Sequence, residues 1–331
     1  MKLDVVPAPK LPALQQSWMD ELLQGPLPAE PRSTCSTCPQ VDVEEDELKF
    51  DPRTKCCTYM PAIYNYFAGR ILLDDDPEVA KGRATVEARI DKGEAVTPLG
   101  LLATQEYVAT YSDDKKFGRD YDLRCPHYLR EEGGLCGVWR HREGTCATWY
   151  CRHVRGAVAF DFWRRGLSPL LRAAERKLAE WCAGQLGCSE HDWGHYADRP
   201  RQLFLESARL VPALRWAEVE SIGGDEVAEL AADTRGYYQT LIAAHTPPER
   251  PKLQPFELQS DDGTTARIAT YTPYDPLALP SKLFRELHRF DGRPRAEAVK
   301  DLKSRGLKVD DALIQQLADW RLIADPDIEG R

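Results

Sequence analysis

Cys125-Pro-His-Tyr-Leu-Arg-Glu-Glu-Gly-Gly-Leu-Cys136-Gly-Val-Trp-Arg-His-Arg-Glu-Gly-Thr-Cys146-Ala-Thr-Trp-Tyr-Cys151 carries four cysteines with 10, 9 and 4 residues between them. Glycines that make turns lie between them, and arginine and aromatic side chains surround them. Four more precede this stretch: Cys35 and Cys38 as a Cys-x-x-Cys, then the adjacent Cys56 and Cys57. Disulfides, bound metal and ordinary buried thiols compete to explain the eight. Disulfide scaffolds are dense in short secreted chains, whereas this chain has 331 residues and opens Met-Lys-Leu-Asp-Val-Val-Pro, without a signal peptide's apolar run. Buried thiols follow core periodicity; Cys182 and Cys188, in and just after a helical pattern, fit that reading, and the other eight do not. Metal is the leading reading.

Cys35 and Cys38 have the spacing at which a tight turn aims two thiolates at one centre, in zinc and iron–sulfur sites alike. Cys56 and Cys57 are different, because neighbouring side chains point to opposite faces of a strand and share no helix face. The expectation is that they do not chelate one atom together, but serve two irons of one cluster, two centres, or one centre and the core. Zinc ribbons show two close Cys-x-x-Cys pairs. Only one is present, so the irregular second group favours an iron–sulfur cluster, one or two, with zinc as the alternative.

The order Cys-x-x-Cys, Cys-Cys, then Cys125-Pro126 through Leu129, Cys136, Cys146 and Cys151 resembles the putative zinc- or iron-chelating (YkgJ-type) cysteine-cluster family, whose distant relatives include the flagellin lysine N-methylases. The resemblance spans residues 35–165. It departs in a longer interval between Cys38 and Cys56, and in Arg142-Glu143 where the family shows Arg-Pro. It implies a metal, with Cys35, Cys38, Cys56, Cys57, Cys125, Cys136, Cys146 and Cys151 as ligands, and leaves the reaction open.

A net charge of −9 argues against a nucleic-acid or anionic-membrane binder. No apolar run approaches the ~20 residues of a membrane span, so the cytoplasm is the expected location. Residues 1–34 are proline-rich and predict a loose arm with one helix bearing Leu14, Trp18, Leu22 and Leu23, whose apolar face packs on the body or on a partner. The acidic run Asp42 to Glu47 predicts a solvated loop. A helix is expected from Pro61 through Leu72, with Cys56 and Cys57 at its amino end, where free amides and the dipole favour negative charge. Asp74 to Asp76 read as a turn capping the next helix, to about Ile90. Residues 124–165 hold eight arginines and four acids, an excess that offsets thiolate charge or receives an anionic substrate. His127, His141 and His153 read as neighbours of the metal or surface residues, and His191 and His195 as helix-start surface.

Ser168-Pro169 opens a helix with Leu171, Ala174, Leu178, Trp181 and Cys182 on one side. Helices are then expected over 202–219 and 226–245, separated by a Gly223-Gly224-Asp225 cap. Asp261-Asp262-Gly263 predicts a hairpin. Short helices follow over 281–290, 295–305 and 310–320, and then a strand at Leu322-Ile323. This carboxy-terminal pattern looks like a winged helix or a small peptide-binding domain, and predicts a protein or peptide partner over DNA. The fold class is thus α+β, predominantly α-helical. It comprises an arm (1–34), a cysteine-rich metal-binding domain (35–165), a helical region (166–247), a hairpin plus three-helix, winged-helix-like module (248–327), and a protease-site scar (328–331). The expected function is that of an iron–sulfur protein (4Fe-4S) in redox or electron transfer. The alternatives are a cluster-dependent protein-modifying enzyme, such as a lysine methylase, and a zinc-stabilised interaction module. No nucleophile–histidine–acid set decides whether it is an enzyme.

Overall fold

A computed structural model describes residues 11–30, 38–43, 49–112, 114–243 and 246–326. Cys35, most of the acidic run and the terminal 328–331 lie outside them. The chain is mostly helical, about 51% helix with 10% strand in small sheets. Among the described residues no helix is long and apolar enough to cross a membrane.

Helix α1 (Ala13–Leu23) packs its apolar face on the body of the chain. Trp18, Met19 and Leu22 are buried, and the Trp18 indole donates to the Leu214 carbonyl at 3.2 Å. The apolar spacing that marks the helix thus places it in the core. Strand β1 (Ile63–Tyr64) leads into α2 (Asn65–Leu73), and α3 (Ala80–Lys92) follows a turn. β2 (Val96–Thr97) and β3 (Gly100–Leu101) pair antiparallel, with β1 on the other side of β3. The expected helix from Pro61 begins four residues late, because residues 63–64 are drawn into this sheet. Cys56 and Cys57 are therefore not at its amino end, and the Asn65 amide bonds the Leu99 carbonyl instead.

After α4 (Gln105–Tyr111), strands β4 (Tyr128–Leu129) and β5 (Leu135–Cys136) form a hairpin. The short helices α5 (Gly144–Ala147) and α6 (Gly156–Phe160) follow it. A π-helical turn, Asp161–Leu167, runs without a break into α7 (Ser168–Gln185), so nothing in the backbone separates residues 165 and 166. Leu171, Ala174, Leu178 and Cys182 recur at helical spacing and are fully buried, which makes α7 the axis of one core extending from Leu11 to Leu241. α8 (Pro200–Leu210) stops earlier than the expected 219, just before Pro212, which cannot continue the amide ladder. α9 (Trp216–Ile242) restarts with Glu218 accepting from the Arg215 amide at 2.9 Å, and it kinks at Gly224, whose φ of 64° suits glycine.

A second core holds Ile268, Leu277, Leu302, Ile314 and Ile323. Strands β6 (Lys252–Leu253), β7 (Glu257–Asp261), β8 (Thr265–Ala269) and β9 (Leu277–Pro280) precede helices α10 (Ser281–Phe284), α11 (Arg295–Ser304) and α12 (Asp311–Asp319). Strand β10 (Ile323–Ala324) closes on β6. The β7–β8 hairpin turns at Gly263 as its Asp-Asp-Gly predicts, with Asp262 accepting two amides at 2.7 Å. β9 was not anticipated; its signal is the alternation of buried Leu277 and Leu279 between two prolines.

This module is clamped to the rest of the chain. Arg155 holds Asp319 with two hydrogen bonds of 3.2 and 3.0 Å, and Arg321 pairs with Asp161. The Trp320 ring packs over Gly156, where a Cβ would lie 2.5 Å from it.

Candidate metal centre

Three backbone links bring distant cysteines together. The first is a tight turn in which the Asp51 carbonyl accepts from Thr54 and Lys55. Lys55 adopts φ 51° there and its ammonium reaches the Gly133 carbonyl at 3.0 Å. Second, the Cys125 amide donates to the Cys57 carbonyl at 2.7 Å. Third, the β4–β5 hairpin sets Tyr128 opposite Cys136, and the Gly137 amide bonds the His127 carbonyl at 2.8 Å. Cys57, Cys125 and Cys136 therefore share one locality.

Cys146 joins them from α5. The Glu143 carboxylate caps that helix, accepting from the Thr145 and Cys146 amides at 2.7 and 2.9 Å. The Gly144 amide donates to Glu175 of α7, also at 2.9 Å. Both carboxyls are buried, and burial pushes the pKa of both up.

The thiols act on one another. Burial, then the neighbouring Cys136, pushes Cys125 up to about 12, against the pull of the His127 amide and Arg89. Burial, then Glu143, Cys136 and Cys125, pushes Cys146 well above the ordinary thiol range. A hydrogen bond to Cys57 is the largest effect raising Cys56. That same bond pulls Cys57 down, but burial and its neighbours Cys125, Cys136 and Cys146 leave it raised. Cys56 and Cys57 lie in a turn and not a strand, and each acts on the other's titration, so the strand geometry that would set them on opposite faces does not apply. Five thiols, Cys56, Cys57, Cys125, Cys136 and Cys146, form one electrostatic group. Binding a cation there would release the protons of the thiols that ligate it.

Helix α3 supplies the positive side. Gly82, Thr85 and Arg89 lie along one face of it. A Cβ on Gly82 would fall 1.7 Å from the Gly137 carbonyl oxygen, so only glycine allows α3 to approach the residue after Cys136. Thr85 Oγ1 lies 2.7 Å from His127 Nδ1, and Arg89 lies within electrostatic reach of Cys125 and His127. Arg89 is only 3% exposed; its Nη2 donates to the Leu102 carbonyl at 2.6 Å, while its Nε and Nη1 are buried without a partner. His127 Nε2 is likewise buried and unpartnered, and burial pushes its imidazole down to about 3, keeping it neutral.

At least four of the eight arginines of residues 124–165 have partners other than the thiols. Arg140 pairs with Asp76 and Glu78, Arg155 with Asp319 and Arg165 with Asp161. Arg142 donates to the Trp139 carbonyl at 2.7 Å. Charge spacing along the chain could not reveal these partners. Arg89 was missed altogether, and its only sequence signal is its place one helical face along from Gly82 and Thr85.

None of the three histidines is a surface residue. His141 Nε2 lies 2.8 Å from Asp74, which ties the Asp74–Asp76 turn to the cysteine-rich stretch. The His153 amide donates to Asp275 at 2.9 Å, and its buried Nε2 has no partner. The segments of Cys38 and Cys151 converge elsewhere, on residues 274–275: the Gln40 side chain bonds the Tyr274 carbonyl at 2.7 Å, and His153 bonds Asp275. Cys182 is fully buried in the core and Cys188 nearly so, as their periodicity predicts.

None of the nine described cysteines is joined in a disulfide. Among the described residues no three histidine, cysteine or acidic side chains close on a single metal ion. No family model, no curated protein and no solved structure matches the chain.

Proposed function

We propose that the chain is an iron–sulfur protein whose cluster, of the 4Fe-4S type, is held by thiolates from among Cys56, Cys57, Cys125, Cys136 and Cys146, and that it serves redox or electron transfer. The observation that carries this is the five-thiol group facing a buried guanidinium with two unused N–H donors. Burying a charge is costly; Glu94 lies within electrostatic reach of Arg89, and a thiolate-ligated centre of net negative charge would add to that compensation and accept from the unused N–H groups. The donor set fits a cluster better than a single ion, because a cluster is several ångströms across and takes each thiolate at a different iron. When bound, the cluster would accept and release one electron. The residues around it would exclude water and, through Arg89 and the His127 amide, favour its reduced or oxidised state. Cys38 and Cys151 would be the described thiols left for a further centre.

Cluster-dependent modification of a protein or peptide is the second reading, and one observation favours it. The winged-helix-like module is docked where the cysteine-rich stretch ends, through Arg155–Asp319 and His153–Asp275. A peptide held by that module would lie near the centre.

The test is iron, zinc and acid-labile sulfide per chain in protein purified without oxygen, for the parent and for Arg89→Met. Matched iron and sulfide, with a chromophore bleached by reductant and a potential shifted in Arg89→Met, is the expected result. Zinc without sulfide would sink the cluster and leave a zinc-stabilised interaction module.

A further inference from the structure

Tyr111, Phe117, Trp149 and Tyr274 line a cavity of about 280 Å³. The walls are rings set edge to face. Phe117 meets Trp149 at 5.2 Å between centroids and 64° between planes, and meets Tyr274 at 6.1 Å and 67°. Tyr111 stacks on Tyr107 at 5.7 Å with only 13° between planes, so a further flat ring laid on Tyr111 would extend an existing column.

Two polar groups beside these walls are unspent. The Trp149 indole N–H is buried and has no partner. The Arg164 guanidinium sits 4.5 Å from the Trp149 ring centroid, is electrostatically coupled to Tyr111, and has a buried Nη1 with no partner. Arg164 forms no ion pair among the described residues. Arg172 adds to the positive potential there, and buried Glu143 removes part of it.

An aromatic box alone would suit a quaternary ammonium. A guanidinium already stacked on its indole repels such a cation and attracts an anion, and an orphaned indole N–H supplies a donor to an oxyanion. We propose that this cavity binds a small planar aromatic molecule carrying a carboxylate or phosphate, its ring stacked among Tyr111, Phe117 and Trp149 and its anionic oxygens bonded to Arg164 and the Trp149 N–H. At about 280 Å³ the cavity, which opens to solvent, is near the lower end of ligand-site volumes and has room for one or two fused rings. The site borders the thiol group: the Tyr59 hydroxyl bonds Thr145 beside Cys146 at 3.3 Å, and its ring packs on Tyr111. The site does not depend on which metal the thiols hold.

Isothermal titration of the protein as purified, with its metal content measured in parallel, tests the site. The probes are 1-naphthoate, the neutral 1-naphthalenemethanol, cyclohexanecarboxylate and (1-naphthylmethyl)trimethylammonium. Binding of 1-naphthoate is expected, with the other three weaker by about tenfold or more. Arg164→Gln should lower naphthoate affinity by about tenfold and leave the neutral probe unchanged, while Arg164→Lys should keep the preference for the anion. Trp149→Phe, which retains a ring but no N–H, should weaken naphthoate several-fold. No binding of naphthoate at millimolar concentration, equal binding of the neutral probe, tighter binding of the ammonium, or naphthoate binding that survives Arg164→Gln would each overturn the proposal. A chain without iron that still discriminates the probes would remove the cluster and keep this site.

Discussion

Replacing Gly82 by alanine tests the packing of α3 on the thiol loop. The new Cβ would stand 1.7 Å from the Gly137 carbonyl oxygen and 3.0 Å from its Cα. Carbon–oxygen approaches under 3.0 Å are essentially never seen, so the two backbones must part by more than an ångström. Overpacking of this kind costs about 1–3 kcal/mol. Separation would also stretch the 2.7 Å Thr85–His127 contact, forfeiting a further ~1 kcal/mol. Alanine's helix propensity returns about 1 kcal/mol. The net expectation is a loss of about 2 kcal/mol. Gly236, in the middle of α9 with nothing within 4 Å of its would-be Cβ, is the matched control; Gly236→Ala should gain about 0.5–1 kcal/mol. Urea unfolding monitored by circular dichroism gives both values. Thiol labelling of the metal-free native protein should show Cys125 and Cys136 reacting faster in Gly82→Ala only. If Gly82→Ala stabilises as Gly236→Ala does, α3 does not lie against Gly137, and Arg89 loses its place beside Cys125.

Arg155→Gln leaves buried Asp319 without its bidentate partner; allowing for the partial exposure of Arg155, about 2 kcal/mol of docking should be lost. Hydrogen exchange should then accelerate in α12 while α7 stays protected. Acid should weaken the Asp74–His141 tie. Burial lowers the His141 pKa more than Asp74 raises it, so the unfolded chain takes up that proton first, and the stability present above ~6.5 falls as the pH drops below it. Asp74 is held below the usual carboxylate range: burial opposes its ionisation, but hydrogen bonds from His141 and the Asp76 amide outweigh it. Its share is lost at lower pH still. His141→Gln should flatten the stability profile between pH 7 and 5, by at most ~1.4 kcal/mol per pH unit; an unchanged slope in pH-jump unfolding would count against the pairing. Cys146→Ser should lower bound metal per chain, whereas Cys182→Ser should leave metal content alone and cost stability, since the Cys182 thiol is packed in the core near the Ser207 carbonyl. Equal metal loss in both would contradict the division between core and site thiols.

Local chemistry was enough to read α7, the Asp-Asp-Gly hairpin and the helices at 295–304 and 311–319, because in each the apolar period and the cap or turn residues agree. The same holds for the separation of Cys182 and Cys188 from the other cysteines, which rests on periodicity within a few residues. What pairs with what over long distances was not legible. The Cys56–Cys57 pair lies in a turn that follows Lys55, whose φ is left-handed, and not in a strand. Whether the first helix packs on the body or on a partner was open, and the structure sets its Trp18 in the core beside the Leu214 carbonyl. Arg140 and Arg155 turn to acids on other elements, while Arg89, 36 positions before Cys125, lies within electrostatic reach of that thiol. Residue type and spacing determine which groups a chain carries and the local conformations they favour. Which buried charge faces which thiol is decided only when close approaches such as Gly82 on Gly137 bring the elements together, because the cost of burying a charge depends on every neighbour at once.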